Sequence, residues 1–201
     1  MSNKILIGPA GTGGSSDEGF LLVKKSGLDA VEIEFTYGVW MTKADALKIA
    51  ELNKRLNLQL SIHAPYFINL NSEDKRKIGA SRSRILKSCE IGHYLAGENK
   101  TKIVFHPGFY QKSSKHETYK NIKEQIEKIQ EEIKEKKWNV ELCPETTGKE
   151  SQFGDLDELI QLIKETHCGI CVDFSHLKAR YNGKIDYDEI MEKLSKIKQP
   201  I

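Results

Sequence analysis

The sequence predicts an α/β fold of the TIM (β/α)8-barrel type, with about six β/α units present in 201 residues. Short apolar runs alternate with longer helical runs, which is typical of a parallel sheet with helical crossovers. A His or an acid directly follows four of the apolar runs, and barrel enzymes carry their active sites at the carboxyl ends of the strands. A doubly wound sheet also fits the alternation itself.

The first predicted unit begins with a strand at residues 4–7 and continues into a glycine-rich turn at residues 8–14. Ser15 and Ser16 are candidates for the N-cap of the first helix, which extends to about residue 25. The turn lacks the Gly-Lys-Ser/Thr ending of a P-loop, so we do not expect it to bind phosphate.

The later strands are short apolar runs bounded by turn residues, as expected for strands buried in a parallel sheet. They cover residues 29–35, 58–62, 102–105 and 140–143 and the run that starts at Gly169. Helices are predicted between and after them at about residues 42–56, 72–96, 114–136, 156–166 and 187–197. No low-complexity linker interrupts the pattern, so one domain, residues 1–201, is expected.

Spacing along the chain predicts an incomplete barrel. A barrel of about 250 residues uses about 31 residues per unit, so a seventh strand would start near residue 200. The sequence ends there, at Gln199, Pro200 and Ile201. An unclosed barrel exposes the edges of its first and sixth strands, which favours pairing with another chain. Self-association through these edges is therefore expected.

Composition and charge restrict the protein class. A hydrophobic content of 38% and a charged content of 30% are typical of a soluble globular protein. No apolar run approaches the roughly 18 residues that a membrane span needs, and the N-terminal apolar segment is too short for a signal peptide. We therefore expect a cytoplasmic protein with no membrane partner. A net charge of +2 predicts no nucleic-acid partner by itself, although a local basic face is compatible with it.

Five side chains form a candidate metal site. His63, His106, Glu145 and Asp173 each directly follow a different predicted strand, and His176 lies in the loop after the last one. A lone His after a strand is more often a packed, hydrogen-bonded residue, but four such positions at one barrel face favour metal binding. Two acids close together repel unless a cation or a proton lies between them. Nitrogen and oxygen ligands without thiolate suit Zn²⁺, Mn²⁺ or Fe²⁺.

Other polar residues fit this site less well. His93, His116 and His167 do not follow strands, and we interpret them as surface or packing residues. Lys149, Lys178 and Arg180 come soon after site-bearing strands and could contact phosphates, although ordinary surface charge explains them as well.

Four segments together resemble endonuclease IV, the zinc-dependent apurinic/apyrimidinic endonuclease family of base-excision repair. They are Ser-Ile-His63-Ala-Pro-Tyr66-Phe-Ile-Asn-Leu, Val-Phe-His106-Pro-Gly, Pro-Glu145-Thr-Thr-Gly and Cys-Val-Asp173-Phe-Ser-His176. The resemblance runs in order along nearly the whole chain. It implies a (β/α)8 barrel with three zinc ions that cleaves double-stranded DNA on the 5′ side of an abasic site and leaves a 3′-hydroxyl.

The resemblance also implies a role for each site residue. His63 and His106 would bind the first zinc, Asp173 the second and His176 the third. Glu145 would bridge the first two ions, which makes it the residue with a catalytic role. Metals about 3.5–4 Å apart can hold both the attacking and the leaving oxygen of an in-line displacement, and a bridging carboxylate sets that separation.

Two aromatic residues are implied in DNA binding. Tyr66 matches a family position that contacts DNA at the lesion, and Phe67 lies in a DNA-contacting loop. The turn at residues 36–40 also occupies the place of such a loop, but its sequence departs from the family pattern. An abasic nucleotide lacks base stacking, so extruding it costs less than extruding a normal nucleotide.

The family takes further ligands, two His, an Asp and a Glu, from its seventh and eighth strand regions, and these 201 residues contain no such regions. The first zinc would keep three protein ligands, the second two and the third one. Three ligands can still form an open zinc site. We therefore expect at most two metals in this chain, and weak or no activity of the chain alone.

Two other functions remain open at this stage. Metal-dependent sugar or sugar-phosphate isomerases and epimerases of the same barrel type also place His and acids around metals at strand ends. They would not need Tyr66 and Phe67 exposed beside the site, and turnover of a keto-sugar without DNA binding would favour them. The other alternative is a truncated, non-catalytic DNA-binding fragment, which retained DNA affinity without incision would favour.

Overall fold

The computed structural model describes residues 5–12 and 17–197. The glycine-rich turn is therefore described only in part, and the predicted N-cap candidates Ser15 and Ser16 lie outside these ranges. The helices are α1 (Asp17–Lys25), α2 (Lys43–Leu56), α3 (Lys75–Leu95), α4 (Lys115–Glu135), α5 (Leu156–Thr166), α6 (Phe174–Arg180) and α7 (Tyr187–Ser195). The strands are β1 (Ala30–Glu34), β2 (Gln59–His63), β3 (Thr101–Phe105), β4 (Gly108–Phe109), β5 (Val140–Pro144) and β6 (Gln152–Phe153).

Four of the strands form one parallel sheet in the order β1-β2-β3-β5. Isolated bridges extend it on both sides, between Ala10 and Glu32 and between Glu145 and Cys171. A helix follows each strand of the sheet, as a βαβ arrangement requires. The predicted TIM-barrel type of fold is confirmed.

The first predicted strand, residues 4–7, is wrong as a regular strand. Residue 4 lies outside the described ranges, and residues 5–9 form no strand, although they follow the edge of β1. The carbonyl of Ile7 accepts a hydrogen bond from the amide of Asp29 (2.8 Å), and the carbonyl of Pro9 accepts one from Glu32 (3.0 Å). Because Pro9 has no N–H, it cannot donate to a strand ladder. The segment is reduced to a bridge at Ala10.

The predicted sixth strand, which starts at Gly169, is also reduced to a bridge at Cys171. The amide of Gly169 donates to the carbonyl of Leu142 (2.8 Å) and that of Cys171 to Pro144 (3.0 Å), so the segment runs along β5. It ends early because Asp173 is already the N-cap of α6. Helix α6 and the short antiparallel pair of β4 and β6 were not predicted, since such short elements produce no clear periodicity.

Burial alternates along the strands and separates the core from the site. Val31 and Ile33 of β1 are buried, as are Leu60 and Ile62 of β2, and they belong to the hydrophobic core. The alternate positions of both strands are only partly buried and point to the opposite face of the sheet. His63 ends β2 on that second face. None of the described helices is long and apolar enough to span a membrane.

Candidate metal centre

Two histidines and an acid meet at the carboxyl ends of β2, β3 and β5. The Nε2 atom of His63 lies 3.1 Å from Oε2 of Glu145, and Nε2 of His106 lies 2.9 Å from the same oxygen. One ligand atom from each of the three residues fits within a mutual distance of 4.8 Å. This first trio has the dimensions of a metal site.

A second trio shares the same acid. Nδ1 of His176 lies 3.5 Å from Oε1 of Glu145 and 3.6 Å from Oδ2 of Asp173. Their ligand atoms also lie within 4.8 Å of one another. The two oxygens of Glu145 therefore face different groups of ligands. The structure brings all five predicted ligands together at one end of the sheet.

The sheet itself positions the first trio. In the strand register His63, the last residue of β2, lies beside Val104 and Cys143, which are the last residues but one of β3 and β5. His106 and Glu145 directly follow β3 and β5, so they reach the same edge of the sheet. Nδ1 of His63 lies 2.8 Å from the carbonyl oxygen of Ala64. That contact turns Nε2 toward the acid, and metal-binding histidines usually have such a partner on their other ring nitrogen.

Helix α6 and the loop after β5 position the second trio. Oδ1 of Asp173 accepts a hydrogen bond from the amide of His176 (2.7 Å), so the candidate ligand is also the helix N-cap. The Thr146 hydroxyl accepts from the amide of Asp173 (2.8 Å), and Nδ1 of His176 lies 2.9 Å from the Thr146 carbonyl oxygen. Thr146, which the sequence reasoning missed, therefore links both residues to Glu145.

Electrostatics favour a charged acid at the centre. Glu145 is buried, at 5% exposure, and burial alone would raise its pKa. The close contacts of its carboxylate with His106 and His63 outweigh burial and lower the pKa to about 2. For His63, burial would lower the pKa, but the Glu145 carboxylate outweighs burial and raises it. The acid is therefore a carboxylate, as metal coordination requires.

The donor set fits a divalent transition metal or zinc. Nε2 of His106 is buried and, despite its short distance to Glu145, has no partner in hydrogen-bonding geometry among the described residues. An orphaned imidazole nitrogen beside a carboxylate is suited to a cation. The nearby thiol of Cys171 is not expected to compete as a thiolate ligand, because burial raises its pKa.

Exposed aromatic rings flank the site. Tyr66 is 49% exposed, and its ring centroid lies 5.4 Å from that of His63. Phe67 is 59% exposed and lies 6.4 Å, between centroids, from the ring of Tyr37. The aromatic pair formed by Tyr37 and Phe67 is thus open to solvent next to the candidate metal centre.

The remaining histidines do not join the site. His93 is held within the fold by the Asn139 amide, His116 is exposed on α4, and His167 ends α5 in a left-handed conformation. Arg180, for which a phosphate contact was considered, is buried, at 6% exposure, and its guanidinium donates to protein groups. That interpretation of Arg180 is wrong, because its guanidinium is buried and bound to backbone carbonyls and to the side chains of Asp155 and Tyr110.

Residues 20–199 match the family described as xylose isomerase-like TIM barrel. The chain belongs to this family. It is 40% identical over 197 residues to an uncharacterized protein, MJ0133, of Methanocaldococcus jannaschii, a match that covers 96% of this chain and 70% of that protein. Relatives at 30% identity or more include proteins named probable endonuclease 4, and solved structures of the same fold include a D-tagatose 3-epimerase-like protein.

Several relatives are named probable endonuclease 4. The one from Aster yellows witches'-broom phytoplasma is 32% identical over 160 residues, covering 76% of this chain and 53% of the relative. The one from Mycoplasmopsis pulmonis is 34% identical over 141 residues, covering 67% and 48%. The chain thus spans about half the length of these endonuclease 4 relatives.

Solved structures agree on the fold. A D-tagatose 3-epimerase-like protein superposes with a TM-score of 0.75 at 20% identity, covering 96% of this chain and 72% of that one. A D-psicose 3-epimerase superposes with a TM-score of 0.68 at 17% identity, covering 88% and 63%. At these identities the likeness establishes the barrel architecture and leaves the reaction open.

Proposed function

We propose that this chain carries the site of a metal-dependent endonuclease that hydrolyses the phosphodiester 5′ to an abasic site in double-stranded DNA and leaves a 3′-hydroxyl. The observation that carries the proposal is the convergence of four side chains, His63, His106, Asp173 and His176, around the carboxylate of Glu145. Sequence similarity supports it, because relatives named endonuclease 4 are 32% and 34% identical to this chain. The similarity covers two thirds or more of the chain.

Zinc is the proposed metal. His63, His106 and Glu145 would hold one ion. The resemblance assigns His176 to a third ion, but in this structure its ring lies with Asp173 beside Glu145, so these three residues would hold the second ion. A third ion, as in endonuclease IV, would need further ligands. Bound zinc supplies Lewis acidity at phosphoryl oxygens and lowers the pKa of water.

Glu145 has the central role in this proposal. Its two oxygens face the two groups of ligands, so the carboxylate sets how far apart the groups stand. Its burial excludes water from the far side of the site and strengthens its interactions with cations. The two histidines His63 and His106 lower the pKa of Glu145, so its carboxylate is ionised and can bind a metal ion.

The exposed aromatic residues would recognise DNA at the lesion. Tyr66 stands beside His63, and Phe67 with Tyr37 extends the apolar surface outward. Aromatic rings that stack on bases contribute about 1–3 kcal/mol per base without reading sequence. Stacking on the neighbours of an extruded abasic nucleotide would therefore give lesion selectivity without base-specific hydrogen bonds.

Sugar epimerisation is the second candidate. The superposed epimerases share this fold, and a metal between strand-end His and acids also suits proton transfer next to a carbonyl. The exposed pair of Tyr37 and Phe67 favours the endonuclease, because a small sugar enclosed in a pocket would not require these rings to extend into solvent.

The first test is incision of a labelled duplex with one abasic-site analogue, with added zinc and again with chelator. We expect slow, chelator-sensitive cutting on the 5′ side. Glu145→Gln should reduce the rate by about a hundredfold or more, since it removes the charge that holds both ions. Glu150→Gln, the same change at an exposed position of the same loop, is the matched control.

Two results would contradict the proposal. Turnover of a keto-hexose by the zinc-loaded protein, with neither DNA binding nor incision, would support the epimerase. Binding of abasic DNA that Tyr66→Ala and Phe67→Ala weaken, without incision at any zinc concentration, would support a non-catalytic DNA-binding fragment.

A further inference from the structure

A buried arginine fixes the loop that follows Glu145. Arg180 is the last residue of α6, and its Nη1 atom donates to the carbonyl oxygens of Lys149 (2.7 Å) and Gln152 (3.0 Å). The same nitrogen lies 3.4 Å from the carbonyl oxygen and the hydroxyl of Thr147. One guanidinium thus contacts three backbone carbonyls within residues 147–152.

The other side of the guanidinium is also engaged. Nε of Arg180 donates to Oδ2 of Asp155 (3.2 Å), and Nη2 donates to the hydroxyl of Tyr110 (3.3 Å). The Tyr110 hydroxyl donates to the Glu158 carboxylate, whose oxygens lie 2.6 and 2.7 Å away. Tyr181 adds a hydroxyl contact to Asp155 (3.0 Å). Each of the three guanidinium nitrogens therefore has a hydrogen-bond partner, as expected for a buried charge.

The loop and the helix that Arg180 connects carry the second trio of ligands. The loop starts at Thr146, directly after Glu145, and α6 starts at Asp173 and includes His176. Helix α6 has only seven residues, and helices shorter than about 12–15 residues are marginal alone. Its orientation must therefore come from tertiary contacts. Arg180 provides the contacts at its C-terminal end, and Thr146 provides those at its N-terminal end.

We propose that Arg180 is a positioning residue, which holds Asp173 and His176 at the distance from Glu145 at which the three can share one metal ion. The inference rests on the metal centre of the proposed function and is independent of its DNA substrate. The first trio is carried by the ends of β2, β3 and β5, and only its His106 and Glu145 contact α6, at His176, among the described residues. Substitution of Arg180 should therefore weaken metal binding mainly at the second trio.

The test is a titration with Co²⁺, followed by its visible absorption, which reports the ligand geometry around each ion. His106→Gln and Asp173→Asn first assign the two binding steps to the two trios. Arg180→Met should weaken the Asp173-dependent step by about 10- to 100-fold, as loss of groups that orient metal ligands usually does. The His106-dependent step should change by less than about threefold.

Three further variants separate positioning from general destabilisation. Lys164→Met removes one positive charge from an exposed position of α5 and should leave both steps unchanged. Arg180→Lys keeps the charge but loses the planar fork, so it should recover only part of the affinity. Tyr110→Phe keeps the ring in the core and removes one contact of the guanidinium, so it should weaken the same step mildly. It also keeps the test valid if Arg180→Met does not fold.

The outcomes distinguish this inference from the proposed function. Selective weakening of the Asp173-dependent step, with an altered spectrum, supports the positioning role. Equal weakening of both steps, or of neither, in folded Arg180 and Tyr110 variants overturns it while leaving the metal centre intact. Failure of the unmodified protein to bind Co²⁺ would reject the metal centre and the positioning role together.

Discussion

Among single residues, Gly154 shows how tightly the loop after Glu145 is packed. Its φ of 128° lies in a region that side chains rarely adopt. A Cβ atom there would lie 2.9 Å from the carbonyl oxygen of Glu145 and 2.9 Å from the hydroxyl of Thr147. Both of those atoms belong to groups that define the site, so neither can move without disturbing it.

Gly154→Ala should therefore lower the free energy of unfolding by about 2 kcal/mol. A non-glycine residue held in such a conformation usually costs about 1–3 kcal/mol. Urea denaturation measures the loss. Gly79→Ala is the matched control, because Gly79 lies exposed within α3 with no atom close to an added Cβ. That change should stabilise the protein by about 0.5–1 kcal/mol. Equal effects of the two changes would refute the packing argument.

The sequence predicted site residues wherever strand position alone decides where a side chain lies. His63, His106, Glu145 and Asp173 were found because each follows an apolar run, and the ends of parallel strands meet at one edge. Thr146 and Arg180 could not be found in this way. Their contacts involve backbone carbonyls, and which carbonyls a loop turns inward depends on tertiary folding.

Among the secondary-structure elements, α4 is determined most clearly by its own sequence. Ser114 is its N-cap, and its hydroxyl and the Glu117 carboxylate form a reciprocal capping box. Burial of Ile122, Ile126 and Ile129 along one side fixes how the helix packs on the core. The predicted start at residue 114 agrees with the structure for these reasons.

Ser114→Ala should reduce stability by about 1 kcal/mol, because the amide of Glu117 loses the hydroxyl that accepts its hydrogen bond and the Glu117 carboxylate loses one donor. Differential scanning calorimetry or urea denaturation reports the change. Ser113→Ala, one residue earlier and outside the capping box, should stay within about 0.5 kcal/mol of the unmodified protein. A comparable loss in both variants would show that the capping box is not the cause.

The strands at the two sides of the sheet were predicted less well. Both the first and the sixth were expected as regular strands, and both are reduced to bridges. A regular ladder needs a partner with consecutive free amides, and Pro9 on one side and the early start of α6 on the other prevent it. Apolar composition predicted where the chain is extended but not where it pairs.

For the whole molecule, we expect metal binding to increase the free energy of unfolding. A ligand that binds only the folded state stabilises it by about 2.7 kcal/mol at a concentration 100 times its Kd. We therefore expect zinc to raise the unfolding midpoint in urea, chelator to reverse the rise, and Glu145→Gln to abolish most of it. A zinc-dependent shift that persists undiminished in Glu145→Gln would place the metal elsewhere in the chain.

Self-association through the exposed edges of the molecule remains a prediction. Ile5 is 82% exposed and Ile7 is 64% exposed along the side where the N-terminal segment meets β1. Such apolar edges favour pairing with other polypeptide segments. Binding of DNA that contains an abasic site likewise remains a prediction. That prediction rests on the metal centre and the aromatic residues around it.

The convergence on Glu145 has a consequence for folding. The contact between His63 and Glu145 joins residues 82 positions apart. Closing so long a segment is entropically costly, and contacts of this kind form slowly compared with local helices. The complete ligand set can exist only after three strands have paired in register. A metal ion would then act late, securing a sheet that has already formed, and its capture would mark the end of folding rather than guide its start.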